Sequence, residues 1–147
     1  MTKKYKIYFS QVLVMLVGAL LVTACQQDTI STDPQLKLSF SHDTVLFDTV
    51  FTAMGTSTHR VMVYNPNQNA INIEQVSMQD GKYFHINLDG ENQLDKLHDV
   101  VVRGKDSLFL FVRAHIDPLD DNSPVLIEDH IAFRVNDKTQ QITLQAY

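Results

Sequence analysis

From Leu36 to the end of the chain, apolar residues recur at every second position, and a period of two commits a polypeptide to strands with one buried face. In LKLSF, Leu36, Leu38 and Phe40 alternate with polar residues. VLFDTVFT (45–52) is β-branched and aromatic, with Asp48 in its middle. RVMVY begins at Arg60 and stops at the turn signal NPNQN. INIEQVSM holds Ile71 and Ile73 in one phase and Val76 and Met78 in the other, which predicts a β-bulge near Glu74 and Gln75. YFHINL places Phe84, Ile86 and Leu88 in phase before the Asp89-Gly90 turn, and DVVV (99–102) precedes a second turn at 104–106.

SLFLFVRAHI (107–116) is apolar in both phases: Leu108, Leu110 and Val112 point one way, Phe109 and Phe111 the other. A strand buried on two sides has this pattern, so it is the candidate central strand. Ile131, Phe133 and Val135 share a side of HIAFRV. Ile142, Leu144 and Ala146 share a side of QITLQA, which makes the last segment a core strand and not a tail. No helical period follows Gly18; ENQLDKLHD (91–99) holds one or two turns at most. Parallel strands joined in sequence would need helical crossovers. The expectation is therefore an all-β, antiparallel immunoglobulin-like sandwich of about seven or eight strands over residues 36–147. With no tryptophan and one cysteine, it lacks the core of antibody domains.

That cysteine lies at the other end of the chain. MTKKYK carries Lys3, Lys4 and Lys6 and no acid, and residues 7–24 are uncharged, with the apolar run VLVMLVGALLV inside them. This is the layout of a secretory signal peptide. An uncleaved membrane anchor is an alternative, weakened by Ser10 and Gln11. A reactive or metal-binding thiol would need a nearby partner, and no histidine lies close to Cys25 in sequence. Val22, Thr23 and Ala24 before Cys25 resemble the lipobox of bacterial lipoproteins. The resemblance implies removal of residues 1–24, acylation of the Cys25 sulfur and of the new N-terminus, and a membrane as partner through the lipid. Several acyl chains anchor stably where one would not.

Cleavage removes three of twelve basic residues and none of seventeen acidic ones, so the mature net charge is near −8. An acidic chain has no counterion-release drive toward nucleic acid. Its 123 residues suffice for one domain. Residues 25–35, polar and broken by Pro34, are expected to be a tether. Asp28 faintly resembles the surface-export signals of some Gram-negative lipoproteins, so either face of an outer membrane is an expected location.

A layout in which a strand ends in Asn65, an apolar strand follows, and the strand at 107–116 closes on Pro118 resembles the major-sperm-protein and hydin-type immunoglobulin-like domains. LSFSHDTVLFDTVFT, VYNPN, INLDG, HIDP and DNSPVLIEDHIAF also resemble the N-terminal segment of uncharacterised lipoproteins from Gram-negative anaerobes, in which a longer β-helix region often follows. On that resemblance the chain is expected to be a fragment or a truncated product.

Chemistry is sparse. Histidines 42, 59, 85, 98, 115 and 130 show no metal-ligand spacing and are expected near strand ends as solvated groups. Asp117, Asp120, Asp121 and Asn122 form a weak calcium candidate without the spacing of an EF-hand loop. Asp48, Glu128 and Asp129 are the nominees for a carboxylate pair, but nothing in the sequence makes them converge. No GxSxG elbow or glycine-rich phosphate loop is present. A non-catalytic, cofactor-free spacer or docking module is the leading expectation. A glycan- or peptide-binding module is the second, with Tyr64, Tyr83 and Phe84 as nominated contacts. Aromatics exposed together on one sheet would favour binding, and scattered, buried ones the spacer; the alternating phases predict burial.

Overall fold

The computed structural model describes residues 29–47, 58–92, 97–115 and 126–147. Nine strands occur in them: β1 (Ser39–Phe40), β2 (Thr44–Phe47), β3 (His59–Tyr64), β4 (Ile71–Met78), β5 (Phe84–Leu88), β6 (His98–Val102), β7 (Ser107–Ala114), β8 (Ile127–Val135) and β9 (Lys138–Ala146). They form a four-stranded sheet, β1-β3-β7-β5, and a five-stranded sheet, β2-β9-β8-β4-β6. The fold is an immunoglobulin-like β-sandwich, and no helix occurs among the described residues.

The two sheets meet through the alternating apolar set. Val61, Val63, Phe84, Ile86, Leu110 and Val112 from one sheet are buried, as are Ile71, Ile73, Ile131, Phe133, Ile142 and Leu144 from the other. Burying each such side chain is worth roughly 1.5–3 kcal/mol, which makes this layer the main source of stability. The expected bulge is present: the pairing of β4 with β8 shifts register between Ile73 and Gln75. Glu74 points outward there and accepts a hydrogen bond from Arg134 Nε. β9 is an interior strand, paired with β8 on one side and β2 on the other, so QITLQA belongs to the sandwich.

Three features differ from expectation. β2 runs parallel to β9, with Val45 opposite Leu144. The need for a helical crossover holds only for parallel strands adjacent in sequence, and the rest of the sandwich separates these two. Of LKLSF, only Ser39 and Phe40 pair as a strand. The backbone of buried Leu38 is held by a side chain instead: Gln140 Nε2 donates to its carbonyl at 3.0 Å and Gln140 Oε1 accepts from its N–H at 2.9 Å. Third, the described part of the expected tether lies against the domain. Ser31 N–H donates to the Ala70 carbonyl at 2.9 Å beside a parallel bridge between Ile30 and Ala70, and Asn136 Nδ2 donates to the Asp33 carbonyl at 2.7 Å.

Two buried polar side chains brace the connections. Asn65, fully buried, donates through Nδ2 to the carbonyls of Asn69, Val102 and Arg103, and its Oδ1 accepts from the Asn67 N–H. It joins the end of β3 to the β6–β7 turn. Gly104 in that turn lies so close to the Gln68 carbonyl that a Cβ there would meet its oxygen at 1.9 Å. Asp129 is the second.

Candidate recognition surface

The described histidines and carboxylates do not assemble a reaction centre. Among the described residues, no group of three or more His, Cys, Asp or Glu side chains is placed to hold a metal ion. Cys25, Asp48, Asp117, Asp120, Asp121 and Asn122 lie outside the described residues. Asp129 is buried in β8, where its Oδ1 accepts from the N–H groups of Asp80 (3.1 Å) and His130 (2.7 Å) and its Oδ2 from Gly81 N–H (2.8 Å). It anchors the turn after β4, where Gly81 has φ +71°. Its lone pairs are engaged by backbone donors, so the residue nominated from the sequence as one of a carboxylate pair acts as a structural acceptor. Glu128, on the opposite face of β8, accepts from Gln145 Nε2.

One histidine departs from the expected strand-end positions: His130 lies in the middle of β8, whereas His85 is the second residue of β5. The His85 ring sits 6.0 Å from that of His115.

The outer faces of the two sheets contrast. That of the five-stranded sheet presents Glu128, His130, Ala132 and Arg134 from β8 and Thr139, Gln141, Thr143 and Gln145 from β9, with single exposed apolar side chains on its two edge strands, Leu46 on β2 and Val101 on β6. On the four-stranded sheet, β7 turns Phe109 and Phe111 outward, 43 % and 37 % exposed, with ring centres 6.4 Å apart. β7 is interior to its sheet, as expected, yet its second apolar phase faces solvent. Of the nominated aromatics, Phe84 is in the core, where its ring meets that of Phe47 at 5.6 Å; Tyr64, half-buried at the end of β3, shares the outer face with Met62 and lies opposite Ser107, and Tyr83 is half-buried.

Register organises this face in rows. Met62 lies opposite Phe109, and Arg60 and Asn87 flank Phe111 from β3 and β5. His85 lies opposite Arg113. A groove of about 310 Å³ runs over β5 and β7, lined by His85, Ile86, Asn87, Phe111 and Arg113 from those strands and by Thr58 and Asn92 beside them. It combines an aromatic ring, two carboxamides, a hydroxyl, an imidazole and a guanidinium, without a carboxylate among its described lining. The lining is mostly polar, so a ligand here would be held by hydrogen bonds and charge around a single aromatic platform. The signal in the sequence was the two-phase apolar run at 108–112.

No protein-family model matches the chain, and no curated protein matches it. Among solved structures it is similar to a protein of unknown function from Porphyromonas gingivalis W83, with a TM-score of 0.58 and 11% identity over 84% of this chain and 49% of that one. It is also similar to part of a family 123 glycoside hydrolase from Clostridium perfringens, with a TM-score of 0.52 and 8% identity over 76% of this chain and 26% of that one. The chain thus spans about half the length of the first protein and about a quarter of the second. At these identities the likeness is one of fold alone, and it agrees with the two-sheet sandwich described above.

Proposed function

We propose that this protein is a non-catalytic, lipid-anchored docking module of a bacterial cell envelope, attached to an outer membrane through Cys25 and recognising its partner with the outer face of β1-β3-β7-β5. The major-sperm-protein and hydin-type branch of immunoglobulin-like domains belongs to this proposal. The single observation that carries the recognition role is the pair Phe109 and Phe111, exposed side by side on one strand. A pure spacer gains nothing from a contiguous apolar patch on its surface, which promotes unwanted association.

The anchoring geometry supports the same reading. From Cys25 to the bridged Ile30, five residue steps span at most about 18 Å. A lipid on Cys25 therefore holds the end of the sandwich near Ala70 and Asn65 toward the bilayer. Arg113 lies about 20 Å along β7 from Ser107 at that end, because six strand steps advance about 3.3 Å each. The groove then faces away from the membrane.

The test has two arms. Labelled fatty acid should enter the protein and be lost with Cys25→Ser, which should accumulate as precursor; normal maturation of that variant contradicts the anchor. A photoreactive residue at position 109 should give a discrete adduct on intact cells while one at Gln141, on the opposite sheet, gives none. Equal labelling at both positions contradicts a dedicated surface.

A further inference from the structure

We propose that the groove along β5 and β7 binds an anionic saccharide, a sugar bearing a carboxylate, with its ring against Phe111 and its carboxylate between Arg113 and His85. This rests on the docking role of the same sheet and names the chemistry of the ligand.

Charge complementarity selects the anion. The chain as a whole is acidic, at −5, yet the described lining of this groove holds a guanidinium and an imidazole and no carboxylate. None of the ion pairs among the described residues involves Arg113. A guanidinium offers a planar fork of donors that matches a carboxylate with two parallel hydrogen bonds. His85, directly across the strand pair, adds a ring nitrogen on the same side of the sheet.

The row beside that one selects the sugar. Phe111 and Arg113 are i and i+2 on one strand, so their side chains share a face at a spacing of about 6.8 Å. That spacing suits one sugar ring and its exocyclic carboxylate. The exposed face of Phe111 offers an apolar platform for the C–H face of the ring. Asn87 and Asn92 beside it supply amide donors and acceptors for hydroxyls. A bare phosphate or an acidic peptide would meet the arginine equally well, but neither requires an aromatic platform flanked by carboxamides. The volume lies at the small end of the roughly 300–1,000 Å³ typical of ligand sites, which fits a short saccharide.

Calorimetric titration of the purified full-length chain in detergent micelles tests the inference, with glucuronate- and sialic-acid-terminated oligosaccharides, their neutral counterparts and poly-glutamate as probes. Saturation-transfer NMR would locate the sugar protons that contact the protein. The expected result is binding of the acidic sugars, with affinity falling roughly tenfold or more in Arg113→Gln, as losing a charge-assisted bidentate contact implies. Phe111→Ala should weaken binding to both acidic and residual neutral sugars, while Gln141→Ala changes nothing. All three altered side chains point to solvent, and an unchanged melting temperature verifies that the variants fold. Neutral sugars binding as well as acidic ones overturns the choice of an anion. Poly-glutamate binding as tightly, with the same dependence on Phe111, overturns the choice of a saccharide. Absence of binding to every probe overturns the inference, and adduct formation at position 109 on cells then decides the docking role separately.

Discussion

The guanidinium of Arg60 lies 5.2 Å from the centre of the Phe109 ring on the solvent side of the four-stranded sheet. A cation over an aromatic face is worth about 0.5–1 kcal/mol when exposed, enough to bias a rotamer but far less than burial of the ring would supply. The aromatic face is thereby held in place while remaining in water. Docking a partner there would bury apolar area whose neighbours are already ordered, which lowers the entropic cost of association.

Asp129 should be among the costliest polar positions to alter. Asp129→Ala leaves the N–H groups of Asp80, Gly81 and His130 without their acceptor. A loss of about 1.5–3 kcal/mol is expected in denaturant unfolding, the range for a hydrogen bond to a charged group. A change within error would mean that the turn holds without its anchor.

The β8–β9 hairpin can be improved. Asn136 and Asp137 have φ of 47° and 61° between paired Val135 and Lys138, the two-residue turn that favours Asn-Gly. Asp137→Gly removes the left-handed cost of a side chain and should stabilise the protein by roughly 0.5–1 kcal/mol. A lower melting temperature would show that the Asp137 side chain contributes more than its backbone costs.

Gly104 has no such latitude. The Gln68 carbonyl fills the space a Cβ would need, and the neighbouring Asn65 hydrogen bonds fix the loop on the other side. Gly104→Ala should cost more than the ~1–3 kcal/mol of ordinary overpacking, because backbone must move. Wild-type stability for this variant would contradict the close approach.

Truncation after Asn136 removes β9, which buries Ile142, Leu144 and Ala146 and separates β8 from β2. The expected outcome is unfolding or aggregation through the exposed edge of β8, observable by light scattering and circular dichroism. A monomer with an unchanged melting temperature would make residues 137–147 dispensable.

Much of this fold was legible because period-two alternation reports phase directly. The bulge showed as a change of phase between Ile73 and Val76, and the Asp89-Gly90 turn as a dipeptide suited to positive φ; both occur. Phase does not say which side is inside when both sides are apolar. Leu110 and Val112 are buried and Phe109 and Phe111 are not, a choice made by the facing sheet and invisible in the strand itself. Asp129 was likewise nominated as one of a carboxylate pair, because the backbone donors its carboxylate accepts from lie 48 and 49 residues away in sequence. The anchored run at Ile30–Asp33 was missed because its contacts are with backbone groups of Ala70 and an asparagine side chain, which composition does not disclose.

Hydroxyl-radical footprinting of the protein in its native envelope, set against the purified chain, tests the docking surface most directly. Phe109 and Phe111 should be oxidised readily in the purified protein and strongly protected in the envelope, while exposed Leu46 and Tyr147 react alike in both. Equal oxidation of Phe109 and Phe111 in the two settings would contradict the account, because nothing would then be covering the face on which it rests.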